Sequence, residues 1–433
     1  MVCAWAASGC TEKIATAPDL GFLQIDARTV EVLVPYEDFV DEVQVIGGYG
    51  SADDLPFAVL ARDFGGLNAR TLLHLEDFPT EARVPGTDGV TVTDTDLSFV
   101  GGWVLIQFDT LIGSALVPSE IEVFDVREDW HAPTVTWDLA VDSAGDQRPW
   151  TQPGGGSTSL VGAGTFDAFI GRLQDDDADL VDTVSIAIDS ATVAALGDPA
   201  SGVKGLLLSV VEPGAFLHVL NVGLMLTTVP STRPDTILQL PVLMDDLVFM
   251  VDPVPTAPAG WLRVGGAPSW RTIIKMSIPR SVDGTAELCG TPGCQVDLTE
   301  VDINLAELVL TTRQTESAFQ PQEPITIDVR RVLNPELLPK SPLSESLVPV
   351  VENLQPQLFS TEPGKLVLLA LTELVKEILA DAAETGTVAP TSVALFTVIE
   401  PRNIGFASFE GFGGVGAPAL RIVYTIANDV GLP

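Results

Sequence analysis

Internal duplication constrains this 433-residue chain more than any other feature. The segment RTLLHLEDFP begins at Arg70, and RTIIKMSIPR begins at Arg271. Both read Arg-Thr, two aliphatics, a basic or imidazole residue, an apolar residue and then a proline break. Upstream, LVPYEDFVDEVQV from Leu33 parallels QLPVLMDDLVFMV from Gln239. Downstream, GLLLSVVEPGAF from Gly205 parallels VALFTVIEPRNIGF from Val393. The landmarks keep their order at offsets of about 190 to 206 residues, which predicts two copies of one domain. The split is expected near STRPDTILQLP, from Ser231 to Pro241.

Each copy reads as strands. VLIQFD, EIEVFDVRE, TVSIAID and KGLLLSVV supply the first; RTIIKMSI, VDINLAELVLTT, ITIDVRRV, KLVLLAL, SVALFTVI and ALRIVYTI supply the second. These are alternating or β-branched runs of strand length, separated by turn residues. Gly and Pro number 38 and 32, in keeping with many short strands. One helix stands out. LTELVKEILADAAETG (Leu371 to Gly386) puts Leu371, Leu374, Val375, Ile378 and Leu379 on one face, with Thr372 as a cap and Gly386 as the stop. DSATVAALGD fills the same slot in copy one. The expected fold is all-β: two tandem antiparallel β-sandwich domains of jelly-roll type, each with a short capping helix. The expected boundaries are a tether over 1–29, a first sandwich over 30–235 and a second over 236–433.

Lys and Arg total 22 against 59 Asp and Glu, a net charge of −37. That surface repels phosphate backbones and anionic lipids, so nucleic acid is not an expected partner. The longest apolar stretch, from Gly214, is broken by His218 and Asn221 and is too short to span a bilayer.

The cysteines suggest export. ASGC, ending at Cys10, has the form of a bacterial lipobox, and the polar TEKIATAPDLG after it suits a tether. Only nine residues precede Cys10, none of them basic, so either the leader begins upstream of Met1 or Cys10 is an ordinary cysteine. Lipid on Cys10 would anchor the protein to a membrane without spanning it. Cys289 and Cys294 flank a Gly-Thr-Pro-Gly turn, and a disulfide between them is favoured over free thiols.

Three of the seven tryptophans, Trp130, Trp137 and Trp150, fall in the loop-like stretch EDWHAPTVTWDLAVDSAGDQRPWTQPGGG. Two roles compete for them: pinning a loop to the sandwich, or stacking on the apolar face of a sugar ring. Trp137, in the alternating TVTWD, is expected to point inward. Trp150, beside Pro149 and PGGG, is expected to be the exposed one. The candidate ligand residues are Trp130, Trp150 and His131.

The order of these landmarks resembles the DNRLRE domain, an extracellular β-sandwich module of bacterial and archaeal surface proteins related to carbohydrate-binding modules. Trp130, Thr134 to Trp137, Trp150 and Pro153 to Gly155 carry the match in copy one. FASFEGFGGVGAPALRIVY (Phe406 to Tyr424) carries it in copy two, which lacks the tryptophan pair. The resemblance implies a non-catalytic surface protein, held at the cell envelope, that binds extracellular polysaccharide through its first domain. The acidic surface fits a neutral polysaccharide better than an acidic one. A structural or adhesive envelope subunit is the alternative, and a glycan-active hydrolase the third reading. No catalytic residues are assigned, since no His-Glu-x-x-His, Gly-x-Ser-x-Gly or phosphate loop is present. No cofactor is expected beyond structural calcium, for which DDDAD (Asp175 to Asp179) offers carboxylates but also reads as a solvated turn.

Overall fold

The computed structural model describes residues 27–47, 57–85, 90–115, 118–143, 145–167, 181–252, 256, 258–266, 269–284, 293–348, 352–398 and 404–427. The chain opens with β1 (Ala27–Pro35) and β2 (Val40–Ile46), joined by one helical turn, α1 (Tyr36–Phe39). Then come β3 (Ala58–Phe64), β4 (Leu67–Leu75) and a hairpin of β5 (Ala82–Pro85) and β6 (Thr91–Asp94). The long β7 (Leu97–Ser114) and β8 (Ser119–Val126) precede a second hairpin, β9 (Leu139–Ser143) with β10 (Asp146–Pro149). β11 (Thr158–Phe166), β12 (Val181–Ile188), helix α2 (Ser190–Gly197), β13 (Gly205–Val210) and β14 (Ala215–Pro230) follow.

The second half begins with β15 (Leu238–Val242), β16 (Met244–Asp252), β17 (Trp261–Val264) and β18 (Arg271–Met276). A third hairpin pairs β19 (Ser281–Asp283) with β20 (Gln295–Asp297). Next are β21 (Asp302–Arg313), β22 (Ile325–Val332), β23 (Leu343–Ser346), β24 (Glu352–Leu354) and β25 (Leu366–Ala370). Helix α3 (Thr372–Thr385), β26 (Thr391–Thr397), β27 (Ala407–Glu410) and β28 (Ala419–Ala427) complete the described chain.

The fold is all-β and antiparallel. Alternation fixes which side chains face inward. On β7, Val104, Ile106 and Phe108 are buried while Trp103, Leu105 and Gln107 point outward. Around the first core, ten strands join in the order β11-β8-β13-β4-β3-β14-β7-β12, with β16 beside β4 and β15 beside β14. The two layers expected of a sandwich are here one nearly closed sheet, because β3 pairs with β4 on one side and β14 on the other. Closure brings β11 close to β12: a Cβ at Gly162 would sit 2.9 Å from the Ala187 carbonyl oxygen, so only glycine fits. Around the second core, two sheets face each other, β23/β24-β22-β26-β18-β2 and β1-β28-β21, with β25 and β27-β17 attached at β21.

The two orders match, with one exception that corrects the expected boundaries. The opening strands of each copy sit in the other copy's sheets. β1 pairs along its length with β28, Ala27 opposite Ala427 and Pro35 opposite Ala419. β2 pairs with β18 of the second copy. Reciprocally, β15 pairs with β14, and β16 with β4, both of the first copy. Even the irregularities correspond. The β2–β18 ladder sets Glu42 opposite Lys275 and slips before Val40 opposite Met276. The β16–β4 ladder sets Asp246 opposite His74 and slips before Met244 opposite Leu75. A division at 235/236 therefore cuts across the sheets. The first body spans β3 to β16, and the second comprises β1 and β2 with β17 to β28.

Local connection explains the exchange on one side. β14 ends at Pro230, turns over Ser231 and Thr232, and returns as its own neighbour β15, an ordinary hairpin. The Asp94 carboxylate holds that turn, accepting from Thr232 N at 2.7 Å, Thr232 Oγ1 at 2.6 Å and Ser231 Oγ at 3.2 Å. These hydrogen bonds, chiefly those from Thr232, lower its pKa to about 2. β1 then finds the equivalent slot vacant beside β28. Arg421 on β28 fastens it, reaching Glu31 of β1 at 3.0 Å and Glu307 of β21 at 2.7 Å.

The halves also meet directly. The β3–β4 turn points Phe64 edge-on at Phe319, ring centroids 6.2 Å apart, and Phe319 stacks on Phe406 at 5.5 Å. Gly65 in that turn has φ 59°, and a Cβ there would lie 2.8 Å from that of Ala318, so both conformation and space call for glycine.

Both expected helices form. α3 buries Leu374, Val375, Ile378, Leu379 and Ala382 and ends on Gly386 at φ 79°. Thr372 is not its side-chain cap. The residue before the helix is Leu371, and the Thr372 hydroxyl instead accepts from Ala306 N at 3.0 Å, tying the helix to β21. α2 is capped by Asp189, which accepts from Thr192 N at 2.7 Å.

Candidate functional site

The tryptophan segment closes over the outer face of the first sheet. There, alternation leaves Leu72 of β4, Leu207 of β13 and Val248 and Met250 of β16 pointing away from the main core. Left bare, they would form an exposed apolar patch. Trp130 and Trp150, 7% and 5% exposed, cover them together with Ala132, Val135 and Ala140. The Trp150 indole donates to the Thr136 carbonyl at 2.9 Å. Glu128 ties the loop ends together, accepting from Thr151 N at 2.9 Å, Ser157 N at 2.7 Å and the Thr151 hydroxyl. Burial pushes that carboxyl upward, but these hydrogen bonds outweigh it and hold it below the usual glutamate value.

The expected sugar platform is thereby corrected. Trp150, expected to be the exposed ring, is buried, and so is Trp130, because each faces the apolar back of the sheet. Pro153 to Gly156 is not a loose linker: Gly154 packs on Trp137, where a Cβ would lie 2.8 Å from the ring, and its N–H donates to the Trp137 carbonyl at 2.7 Å. His131 is exposed, its Nδ1 3.0 Å from Thr134 Oγ1.

Copy two covers the equivalent face without tryptophan. Ile273 and Ala394, opposite each other as Leu72 and Leu207 are, pack with Val332, Phe396, Leu338, Leu343 and Ile46. The repeated Arg-Thr now has a reason. Arg70 lies 5.2 Å over Trp137 and donates to the Gly154 carbonyl at 2.8 Å; Arg271 lies 5.7 Å over Phe396. Thr71 and Thr272 are both fully buried and donate to the Val59 carbonyl at 3.0 Å and the Arg263 carbonyl at 2.8 Å. Each arginine pins the outer layer, and each threonine pins the strand behind it. The two covering layers also touch: Lys340 reaches Asp142 at 2.5 Å.

His74 lies on the exchange seam. Its ring stacks on Trp130 at 3.8 Å and 15°, and its Nδ1 is 2.6 Å from Asp246 on the exchanged β16. His218 is 3% exposed, 3.7 Å from Asp109 and 5.3 Å from the Phe57 ring, enclosed in the first core. Among the described residues no three His, Cys, Asp or Glu side chains cluster as metal ligands; Asp175 to Asp179 lie outside the described residues, as does Cys10. Cys294 is disulfide-bonded, and its expected partner, Cys289, is also outside the described residues. No helix among the described residues is long and apolar enough to cross a membrane.

Sequence reasoning passes over one locus entirely. Trp261, Arg313 and Glu410 meet in the second body, although they are far apart in the chain and share no motif. Compared with known proteins, the chain matches no family model and no curated protein.

Proposed function

We propose that the protein is an exported, non-catalytic surface subunit that engages extracellular polysaccharide of neutral charge. One observation supports this most: each half completes the other's sheets, and residues 27 and 427 face each other across β1 and β28. Strands shared in this way couple the halves, so they resist separation as one body. Residues 27 and 427 lie side by side at one end of the β1–β28 ladder, which suits a body held from one side. A net charge of −37 disfavours acidic polysaccharides and leaves neutral ones. The buried Trp130 and Trp150 do not supply the contact, so the ligand meets another surface.

The test is a glycan array probed with the full chain, followed by incubation with any glycan bound. Binding to neutral glycans without release of reducing ends is the expected result. Turnover that is lost on replacing one carboxylate would make the protein an enzyme. Absence of binding, with self-assembly of the purified chain, would favour the structural subunit instead.

A further inference from the structure

We propose that the cleft between Trp261, Arg313 and Glu410 is a saccharide-binding site, an assignment that rests on the polysaccharide reading above. The cleft has a volume of about 650 Å³, within the range of small-ligand sites. It is built where β17, the end of β21 and β27 converge. Arg313 is the centre. Its guanidinium carbon lies over the Trp261 indole, 3.6 Å from the ring centroid, a cation–π contact that helps hold it in place. One nitrogen, Nη1, donates to Glu410 Oε2 at 2.7 Å. Among the described residues, the other Arg313 nitrogens and the Trp261 N–H have no protein acceptor, and Glu410 Oε1 has no donor. Glu316 on the same wall is held by Arg263, which is itself 2% exposed and buried behind it.

The chemistry of the walls selects the ligand. Each carboxylate on the walls is paired, Glu410 with Arg313 in the cleft and Glu316 with Arg263 buried behind it, so neither presents an uncompensated charge to attract an ion. The cleft still offers unused donors and unused acceptors side by side. A sugar's vicinal hydroxyls each donate and accept, and so match both sets at once. The exposed part of Trp261 adds an apolar surface for the C–H face of the ring. An anionic ligand would meet Glu410 and Glu316, and a cationic one Arg313, so a neutral saccharide fits best. The site lies in the second body, which lacks the tryptophan pair of the first.

The test is isothermal titration of the full chain with neutral hexasaccharides of glucose, mannose and galactose, with hexagalacturonate as the acidic comparison. Arg313→Met and Glu410→Gln change the polar contacts while roughly keeping shape, and thermal melting checks that each variant folds. Trp103→Ala, on an outward-facing position of β7, is the control. We expect at least one neutral hexasaccharide to bind, with affinity reduced about tenfold or more by either cleft variant and unchanged by the control. Hexagalacturonate should bind more weakly than that neutral sugar. Binding that both folded cleft variants retain would overturn the site but leave the polysaccharide reading standing. No binding of any hexasaccharide to the unaltered chain, while longer polysaccharides on the array do bind, would also overturn the site alone. Silence from both would overturn site and reading together.

Discussion

Phe39 gives the sharpest test of the exchanged strands. It sits in the single turn between β1 and β2, next to segments that sequence order assigns to the first half. In the structure it is 1% exposed and packs into the second core with Val34, Tyr424 and their neighbours. A buried phenylalanine removes roughly 200 Å² from water, worth about 5 kcal/mol at 25 cal/mol per Å² as an upper estimate. Measured truncations of buried phenylalanine to alanine cost about 3–5 kcal/mol. Phe39→Ala should therefore weaken the second body by that amount. Peptide-resolved hydrogen exchange reads it directly, since each 1.4 kcal/mol is about tenfold in an opening equilibrium. Amides of β18, β21 and β28 should exchange roughly a hundred- to a few thousand-fold faster, while those of β4 and β13 should change far less. Faster exchange confined to β3, β4 and β14 would refute the reasoning, because it would place Phe39 in the first core.

Three further outcomes follow from the same packing. Leu247→Ala, on β16 and 3% exposed in the first core, should cost about 2–5 kcal/mol and loosen β4 and β14 rather than β21, the mirror image of Phe39, by the same exchange measurement. Trp150→Ala should cost about 3–5 kcal/mol and lower the melting temperature of the first body, since the ring is a cover for Leu72 and Leu207 and not a free platform. Asp94 contributes stability that is present above its unfolded value of 3.8 and is lost as pH falls towards about 2; Asp94→Asn should lower stability at neutral pH and flatten that part of the acid-denaturation curve.

Much of the architecture is legible in the sequence because it rests on period and order. The alternation of VLIQFD and TVSIAID, the apolar stripe of α3 and the doubled Arg-Thr landmarks each report a local or repeated constraint, and the strands and helices formed where those patterns run. Partner choice is another matter. β1 and β2 bear the same pattern as β15 and β16, so either pair fits either body, and no local signal says which copy an opening strand completes. What decides it is connection: β14 folds straight back into β15 across the Asp94-held turn, and β28 is left for β1. The burial of Trp150 escapes the sequence for a related reason. PGGG beside Trp150 reads as a loose segment, whereas Gly154 is required for close contact with Trp137 and the loop is tied at Glu128. Covering an apolar outer sheet face is a tertiary demand with no signature in composition. The cleft around Arg313 was invisible because Trp261, Arg313 and Glu410 come from three separated strands, brought together only by the sheet.

The central claim is that β1 belongs to the last strand of the second body. Thr29 and Thr425 are opposite one another across β1 and β28, with their hydroxyls 3.0 Å apart. The double variant Thr29→Cys, Thr425→Cys, oxidised at low protein concentration, should yield a disulfide between those two positions within a monomer, found by mass spectrometry of the linked peptides. A monomer in which position 29 fails to link to 425, while a parallel variant, Thr29→Cys with Ser231→Cys just past the end of β14, does form that disulfide, would contradict the exchange and return each copy to its own opening strands.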